Sequence, residues 1–361
     1  MNRLERVETK GTKGEYCMPE HFSTLPEIRR AAKRQLSPGV WGYGAGGAET
    51  ETTLRRNRQA LQRLAIRQRV LVDVRDVDLT TTFLGIELPM PVAIAPMGGL
   101  VIFHPQGDVE MARGAGPSGA LAVVSGVTGW PVEEVARAAS GPLLFQLYFG
   151  GPRSWVKELM GRVEACAYRA VCLTVDLQVY GRRERDLVQR FDPRVARATA
   201  PNPGPPDMDY QARLTWDDVA WLRSILSLPL GIKGILTAED ARLAVEAGAQ
   251  IVWVSNHGGR QLDHTQATIE VLPEIVAAVD GRAEIMIDGG FSRGTDIVKA
   301  VALGAKVVAM GRTMLWGLTV GGAAGVNRTL QLLREELSTS LALCGQTSVY
   351  GLKSSLICRA Q

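Results

Sequence analysis

Beyond Pro91, short apolar segments alternate with longer amphipathic ones, and this alternation limits the possible fold more than any other feature of the sequence. The apolar segments have the length of buried strands, and amphipathic segments such as Glu239–Ala247 and Gly294–Leu303 have helical spacing. The eight predicted strands are Val92–Ala95, Leu121–Val124, Leu143–Leu147, Ala170–Val175, Pro229–Lys233, Ile251–Val254, Glu284–Ile287 and Val307–Met310. Strands that alternate with helices in this way predict a parallel sheet.

Strand–helix units of this number, spread over about 250 residues, favour a TIM (β/α)8 barrel over an open doubly wound sheet. We therefore expect an α/β fold in which residues 1–90 form an N-terminal helical extension packed on the barrel. Residues 91–345 would form the barrel, with its last helix over 315–345, and residues 346–361 would form a C-terminal tail.

The chain before the barrel begins with residues 1–20, which are polar and aperiodic and predict a loose tail. A helix is predicted over Leu25–Gln35, with Thr24 as its N-cap and Glu27 completing a capping box. The segment Gly42–Gly47 formally fits the GxGxxG pattern. A charged helix and a Pro-Gly break precede it, whereas a dinucleotide-binding motif follows a buried strand, so we expect no dinucleotide fold here.

The composition is that of a soluble globular protein, with 361 residues, 46% of them hydrophobic and 22% charged. The net charge is +4, and basic residues are interleaved with acidic ones, which argues against a nucleic-acid interface. Apolar runs stay well short of the ~20 residues that a membrane-spanning helix needs. The five cysteines are odd in number and lack metal-ligand spacing, so we expect reduced thiols in a cytoplasm, without a disulfide framework or a metal site.

The predicted strand Ile251–Val254 ends abruptly at a polar, glycine-containing segment, residues 255–263, with the sequence Ser-Asn-His-Gly-Gly-Arg-Gln-Leu-Asp. His257 carries an imidazole that can accept a proton near neutral pH, and Arg260 carries a guanidinium that can bind a carboxylate through two hydrogen bonds. Together they are equipped to hold a small acid and deprotonate it. For an isolated His-Gly-Gly-Arg, however, a capped loop with a surface arginine is the commoner explanation.

Other predicted strands also end in polar residues or in glycine-containing turns, at the end of a TIM barrel where active sites lie. In chain order these are Pro96, Met97 and Gly98; Ser125; Gln146 and Tyr148; Thr174 and Asp176; Lys233; Asp288, Gly289 and Gly290; and Gly311 and Arg312. The glycine-rich turns after the seventh and eighth strands predict a phosphate site, because helix-start amides face the anion. Lys233 would be a buried cation that needs an anionic partner.

The nine residues 255–263 closely resemble the signature of the FMN-dependent 2-hydroxy-acid oxidase and dehydrogenase family. Matching segments recur in the family's order from about Trp41 to about Leu343, so the resemblance covers most of the chain. It implies FMN as the cofactor, a small 2-hydroxy acid as the substrate and oxygen or another molecule as the electron acceptor. It also implies a homo-oligomer, either a tetramer or an octamer.

The resemblance also assigns flavin-contacting positions. They are Pro96, Met97, Gly98, Ser125, Gln146, Tyr148, Thr174, Lys233, Ser255, Asp288, Gly289, Gly290, Ser292, Gly311 and Arg312. Ser292 departs from the family, which usually has an arginine there that reaches the phosphate. We therefore expect FMN to be held less tightly unless Arg293 compensates.

The same resemblance implies oxidation of an (S)-2-hydroxy acid to the 2-oxo acid, with flavin N5 as hydride acceptor. His257 would accept the hydroxyl proton, while Asp176 bonds its other ring nitrogen. Arg260 and Arg183 would clamp the carboxylate. Whether hydrogen leaves as hydride or the carbon becomes a carbanion is not decided by the sequence.

The family resemblance places Gly42–Gly47 in a loop over the active site and gives Tyr43 a substrate-contacting role. Tyr148 would likewise bond the substrate carboxylate or hydroxyl. Lys233 would stabilise negative charge that develops as the flavin is reduced.

Two positions that often carry bulky rings in enzymes for small acids are Gly44 and Val127 here. The segment Arg190–Ala212, where the family has a mobile loop over the site, is short and proline-rich. Together these features predict a wide pocket and a large or aromatic substrate. Trp130 is the side chain able to refill the space.

Two alternatives stay open at this point. One is an FMN barrel with different chemistry, such as reduction, isomerisation or a step on a larger carboxylate-bearing metabolite in a biosynthetic pathway. The other is a non-catalytic flavin- or phosphate-binding barrel, which would require the loss of catalytic positions. The set formed by His257, Arg260 and Arg183 argues against reduction or isomerisation, and none of the catalytic positions that the resemblance assigns is missing.

Overall fold

A computed structural model describes residues 19–196, 198, 200–202, 205 and 207–360, so most of the predicted N-terminal tail lies outside the described residues. Its strands are β1 (Leu64–Ile66), β2 (Thr81–Phe83), β3 (Ile86–Leu88), β4 (Val92–Ile94), β5 (Leu121–Ser125), β6 (Leu143–Leu147), β7 (Tyr168–Thr174), β8 (Leu230–Ile235), β9 (Ile251–Val254), β10 (Glu284–Ile287), β11 (Val307–Met310) and β12 (Ile357–Arg359). Strands β4 to β11 pair in parallel and in sequence order, and β11 closes on β4. The predicted TIM barrel is confirmed, with a strand at each predicted position.

Helices alternate with the barrel strands and also build the N-terminal extension. They are α1 (Leu25–Gln35), α2 (Pro38–Ala45), α3 (Thr52–Gln62), α4 (Gly107–Ala115), α5 (Val132–Ala138), α6 (Arg153–Glu164), α7 (Glu184–Val188), α8 (Pro193–Ala196), α9 (Asp209–Ala212), α10 (Trp216–Ile225), α11 (Ala238–Glu246), α12 (Thr268–Val279), α13 (Gly294–Ala302) and α14 (Arg312–Leu343). Helix α14 starts three residues before the predicted 315 and is broken at Gly321 and Gly322, whose backbone angles are not helical. None of the described helices combines the length and apolarity needed to cross a membrane.

The barrel interior is a packed core of small and large apolar side chains that point inward from alternate strand positions. Trp253 on β9 is its largest fully buried member. The hairpin of β2 and β3 inserts Phe83 and Leu88 into this core, and Leu84 N donates to the Glu284 carboxylate at the start of β10. One end of the barrel is thereby closed, which leaves the opposite end, where the strands terminate, for a site.

The N-terminal extension contains one element that the sequence predicted and one that it did not. Helix α1 has the predicted bounds and capping box, since the Glu27 carboxylate accepts from Thr24 N at 3.0 Å. The prediction of a loop over Gly42–Gly47 was wrong for residues 42–45, because α2 spans Pro38–Ala45. Ser37 accepts a hydrogen bond from Val40 N, and a proline in the first helical position is pre-set for a helix start.

Helix α3 is fastened to the loop after β9 by two residues of the 255–263 segment. The buried Asp263 carboxylate accepts from Thr52 N at 3.1 Å and Thr53 N at 2.6 Å, which caps the helix. Asn256 and Asn57 exchange side-chain hydrogen bonds of 2.9 and 2.8 Å. Part of this segment therefore holds the extension on the barrel mouth.

Candidate active site

A cavity of about 990 Å³ opens at the carboxyl ends of the barrel strands and is roofed by the N-terminal extension. The predicted site residues that line it are Tyr43, Pro96, Met97, Gly98, Tyr148, Arg183, Lys233, His257, Arg260, Asp288, Gly289, Gly290, Ser292, Arg293, Gly311 and Arg312. The others lie at or just beyond strand ends without lining it, namely Ser125, Gln146, Thr174, Asp176 and Ser255. Predicted positions far apart in sequence thus converge on one cavity.

His257 sits at the mouth of the barrel in a backbone conformation that is uncommon for a residue with a side chain. Its φ is 55°, in the left-handed region, where such outliers concentrate at functional sites. The ring Nδ1 lies 2.8 Å from Asp176 Oδ1, and Nε2 lies 3.5 Å from Tyr148 Oη. The carboxylate therefore fixes the Nδ1–H tautomer, which leaves Nε2 as the proton acceptor.

The protonation states around His257 follow from burial and from its charged neighbours. Burial lowers the pKa of His257; the Asp176 carboxylate partly opposes this, and the Lys233 ammonium adds to it. Burial would raise the pKa of Asp176, but its interaction with His257 and the charge of Lys233 lower it below its ordinary value. Burial and then Asp176 raise the pKa of Tyr148. At neutral pH the site therefore contains a neutral imidazole, a carboxylate and a protonated phenol.

Three guanidiniums crowd the cavity wall beside His257. Arg260 donates to Tyr43 O at 2.7 Å and lies over the Tyr43 ring at 5.0 Å. Arg312 donates to the carbonyls of Gly44, Gly46 and Gly258. Burial, followed by the charges of Arg260 and Arg183, lowers the pKa of Arg312 to about 9. So many buried like charges favour the entry of anions.

Lys233 lies within β8, which continues to Ile235, so the prediction that it ends this strand was wrong by two residues. Its Nζ donates to Ser255 Oγ at 3.0 Å and lies 3.7 Å from Asp288 Oδ2. Ser255 Oγ in turn donates to Asp288 Oδ1 at 2.9 Å. Asp288 thus supplies the anionic partner that a buried lysine requires.

Two uncharged side chains that are buried at the strand ends have unused hydrogen-bonding capacity. Within the described part of the chain, Gln146 Nε2 and Thr174 Oγ1 have no partner, although Gln146 Oε1 accepts from Ser125 Oγ at 3.1 Å. Buried donors and acceptors are almost always paired in folded proteins. The two atoms therefore fit a bound group with polar atoms along its edge.

Sequence reasoning missed several side chains at the cavity. Tyr180 accepts a hydrogen bond from Arg183 Nη1 and stacks on that guanidinium at 4.1 Å. Arg58 reaches the cavity from α3, but it is one of six arginines between positions 55 and 69, so no sequence pattern singles it out. Position 180 was detectable only by its place between Asp176 and Arg183 in one loop.

The expectation that Gly44 opens the pocket was wrong. A Cβ at Gly44 would lie 2.9 Å from a ring carbon of Phe103 and 3.1 Å from one of Trp316. These two rings, supplied by distant parts of the chain, already occupy the volume that a larger side chain at position 44 would take. Val127 remains on the cavity wall as a small residue.

The chain matches the model of a known family over residues 32–359, and that model is described as FMN-dependent dehydrogenase. The chain belongs to the FMN-dependent dehydrogenase family. It is 43% identical to an L-lactate oxidase of Nostoc sp., with 92% of this chain and 97% of the relative covered. It is 42% identical to a glycolate oxidase of Spinacia oleracea, with 93% and 95% covered.

Solved structures similar to this family member include enzymes that act on mandelate. A mandelate oxidase variant with (S)-mandelic acid has 37% identity and a TM-score of 0.86, with 94% of this chain and 98% of that chain covered. A monotopic membrane protein, (S)-mandelate dehydrogenase, has 32% identity and a TM-score of 0.87, with 94% and 100% covered. The predicted family, the FMN cofactor and an enzyme that acts on a CH–OH group are confirmed at the level of the family.

The residues at the site fit FMN. Its ring carries polar atoms for Gln146 and Thr174, whose buried atoms otherwise lack partners within the described residues. Its phosphate suits the turn of Gly289 and Gly290 before α13, where φ values of 105° and 86° bring the backbone close without side chains.

Proposed function

We propose that this family member oxidises an (S)-2-hydroxy acid to the 2-oxo acid, with His257 as the general base. The observation that carries the proposal is the pair formed by His257 Nδ1 and Asp176 Oδ1 at 2.8 Å, on a wall shared with Arg183 and Arg260. A neutral base beside two guanidiniums is suited to an anionic substrate whose hydroxyl proton must be removed.

Binding would be carried by the cations and phenols of the cavity wall. Arg260 and Arg183 clamp the carboxylate, which fixes the hydroxyl-bearing carbon relative to His257. Tyr148 and Tyr43 donate hydrogen bonds to the carboxylate or hydroxyl. The raised pKa of Tyr148 supports this role, because the phenol stays protonated and able to donate.

FMN, when bound, accepts the two electrons that leave the hydroxyl-bearing carbon, with N5 as the proposed acceptor atom. The residues that would hold it are Pro96, Met97, Gly98, Ser125, Gln146, Tyr148, Thr174, Lys233, Ser255, Asp288, Gly289, Gly290, Ser292, Gly311 and Arg312. Lys233 Nζ lies beside Ser255 and Asp288. We propose that it stabilises negative charge on the reduced cofactor.

Protonation of His257 would be stabilised by Asp176, which stays ionised because its pKa is lowered. The proton accepted from the substrate hydroxyl resides on Nε2, while the Nδ1–H bond to the carboxylate persists. The imidazolium that forms therefore has a fixed counter-charge, and this charge pairing lowers the cost of removing the proton.

We propose that the substrate is a 2-hydroxy acid with a large or aromatic side chain. Its support is the small Val127 on the cavity wall and a lid segment of which Pro193 and Pro205 line the cavity, whereas Pro203 and Pro206 lie outside the described residues. Gly44 does not widen the pocket, since Phe103 and Trp316 fill the space beside it. The similar enzymes are named for lactate, glycolate and mandelate, which differ in side-chain size. These three acids therefore serve to test the proposed substrate size.

The geometry favours neither alternative, because the complete set of base, carboxylate partner and guanidiniums is typical of hydroxy-acid oxidation. Oxygen or another molecule as electron acceptor, a homo-oligomeric assembly and a cytoplasmic location stay predictions from the sequence.

The test is anaerobic mixing of the purified protein with glycolate, lactate, mandelate and a long-chain 2-hydroxy acid, with flavin absorbance followed over time. The proposal predicts bleaching by (S)-2-hydroxy acids, fastest with the larger ones. If none bleaches the flavin, the proposed reaction is wrong. If glycolate or lactate bleaches the flavin fastest, only the assignment of substrate size is wrong.

A further inference from the structure

The start of α13 carries a negative charge where an anion is expected to bind. The Asp296 carboxylate is fully buried and accepts from Ser292 N at 3.0 Å and Arg293 N at 3.1 Å. Two amides that an anion would use at a helix start are thus already engaged by a carboxylate. A phosphate close to this turn therefore requires a cation that offsets Asp296.

Arg58 on α3 is the cation that reaches this turn. Its Nη1 and Nη2 lie 2.5 and 3.0 Å from the two Asp296 carboxylate oxygens, a bidentate pair. Nη1 also lies 3.1 Å from Gly290 O and 3.1 Å from Ser292 Oγ. The side chain is about one-third exposed, at 35%, and it lines the cavity.

Arg293, the compensating residue expected from the sequence, is engaged elsewhere. Its guanidinium lies 3.1 Å from Glu336 Oε1 on α14, and the Arg293 side chain is 44% exposed. Arg293 thus has its own carboxylate partner, whereas Arg58 contacts Ser292 directly.

We propose that Arg58, acting with the hydroxyl of Ser292, supplies the positive charge that binds the FMN phosphate. Because Ser292 Oγ accepts from Arg58 Nη1, its own proton is available for a phosphate oxygen, in competition with Asp296 Oδ2 at 3.4 Å. The cation therefore comes from the N-terminal extension and not from the turn itself. Hydrogen bonds of α3 to Asp263 and from Asn57 to Asn256 fix the position of this helix, and with it that of Arg58.

The proposal rests on FMN as the cofactor, and its test measures binding, so it does not depend on which acid is oxidised. Full-length apoprotein is titrated with FMN and with riboflavin, which lacks the phosphate, and flavin fluorescence is followed. Arg58→Gln should weaken FMN binding by about 10- to 100-fold, the loss expected for hydrogen bonds to a charged group, and riboflavin binding by less than about 2-fold. Arg63→Gln, an exposed arginine that follows α3, is the matched control and should change neither constant.

Two double variants separate a direct role from a structural one. Arg58→Gln with Ser292→Arg restores a cation at the turn and should recover FMN affinity. Arg58→Gln with Asp296→Asn removes both charges and should remain weak for FMN; it also carries the test if the single variant fails to fold with Asp296 unpaired. Recovery of wild-type affinity in this second variant would mean that Arg58 only neutralises Asp296. That result, or an unchanged ratio of FMN to riboflavin affinity in the single variant, overturns the proposal.

Discussion

The carboxylate of Asp176 and the imidazole of His257 form a 2.8 Å hydrogen bond between Oδ1 and Nδ1, although 81 residues separate them in the chain. Gly234 makes this approach possible. A Cβ there would lie 2.7 Å from Asp176 Cβ, and its φ of 117° is one that side-chain-bearing residues rarely adopt. The glycine after Lys233 thus lets three neighbouring strand ends meet.

Asp176→Asn should impair proton transfer without loss of the cofactor. An amide in place of the carboxylate can favour the wrong imidazole tautomer and no longer balances the imidazolium, so we expect kcat to fall by about 10²- to 10⁴-fold. FMN content should be unchanged, because Asp176 is not among the residues proposed to hold FMN and its carboxylate bonds His257. Flavin reduction at the wild-type rate in rapid mixing would remove Asp176 from the mechanism.

The pH dependence of kcat/KM should show its acidic limb below 6.5, the ordinary pKa of histidine, because burial lowers the pKa of His257. The base must be neutral to act, so activity is retained above this pKa and lost as the pH falls through it. In Asp176→Asn the limb should move lower still, since the carboxylate raises the pKa of His257. A limb above 6.5 in the wild-type enzyme contradicts the assigned environment.

Val127→Trp should shift the substrate preference toward small acids. Val127 lies on the cavity wall, and an indole there takes volume from a large substrate side chain. We expect the ratio of kcat/KM for mandelate to that for glycolate to fall at least about 10-fold, as for pockets that discriminate by size. Val127→Ile, which adds less volume at the same position, is the control and should change this ratio less. An unaltered ratio in the tryptophan variant would show that position 127 does not set substrate size.

Asp108→Asn should stabilise the protein at neutral and alkaline pH. Burial raises the pKa of Asp108 to about 6 in the folded state, where its carboxylate accepts from Gly129 N at 3.1 Å. Stability from this group is present at low pH and is lost as the pH rises toward 6, because the folded state holds the proton more tightly than the unfolded chain. A shift of about 2 units corresponds to at most about 3 kcal/mol at pH 8. Denaturant unfolding at pH 4 and pH 8 measures the change in unfolding free energy that Asp108→Asn causes. The exposed Asp217→Asn is the control. An equal change at both pH values would disprove the raised pKa of Asp108.

The strand pattern was readable because each barrel strand is buried and continuous in sequence, so apolar length alone located it. Helix α2 was missed because its glycines and aromatics lack amphipathic spacing, and the carbonyls of Tyr43 and Gly44 in its last turn are bound by Arg260 and Arg312 from distant parts of the chain. The role of Asp288 beside Lys233, and of the Phe103 and Trp316 rings beside Gly44, likewise depends on contacts that only the closed barrel creates. The residue types at strand ends were predictable from the sequence, whereas the side chains that contact them in the folded barrel were not.

The most direct test of the account is flavin reduction in His257→Ala, measured by anaerobic rapid mixing with the best substrate. The exposed His264→Ala on the same loop serves as control. We predict that both variants purify with FMN bound, that His264→Ala bleaches like the wild type, and that His257→Ala bleaches about 10²- to 10⁴-fold more slowly. Bleaching of the His257→Ala flavin at the wild-type rate would contradict the assignment of His257 as the base.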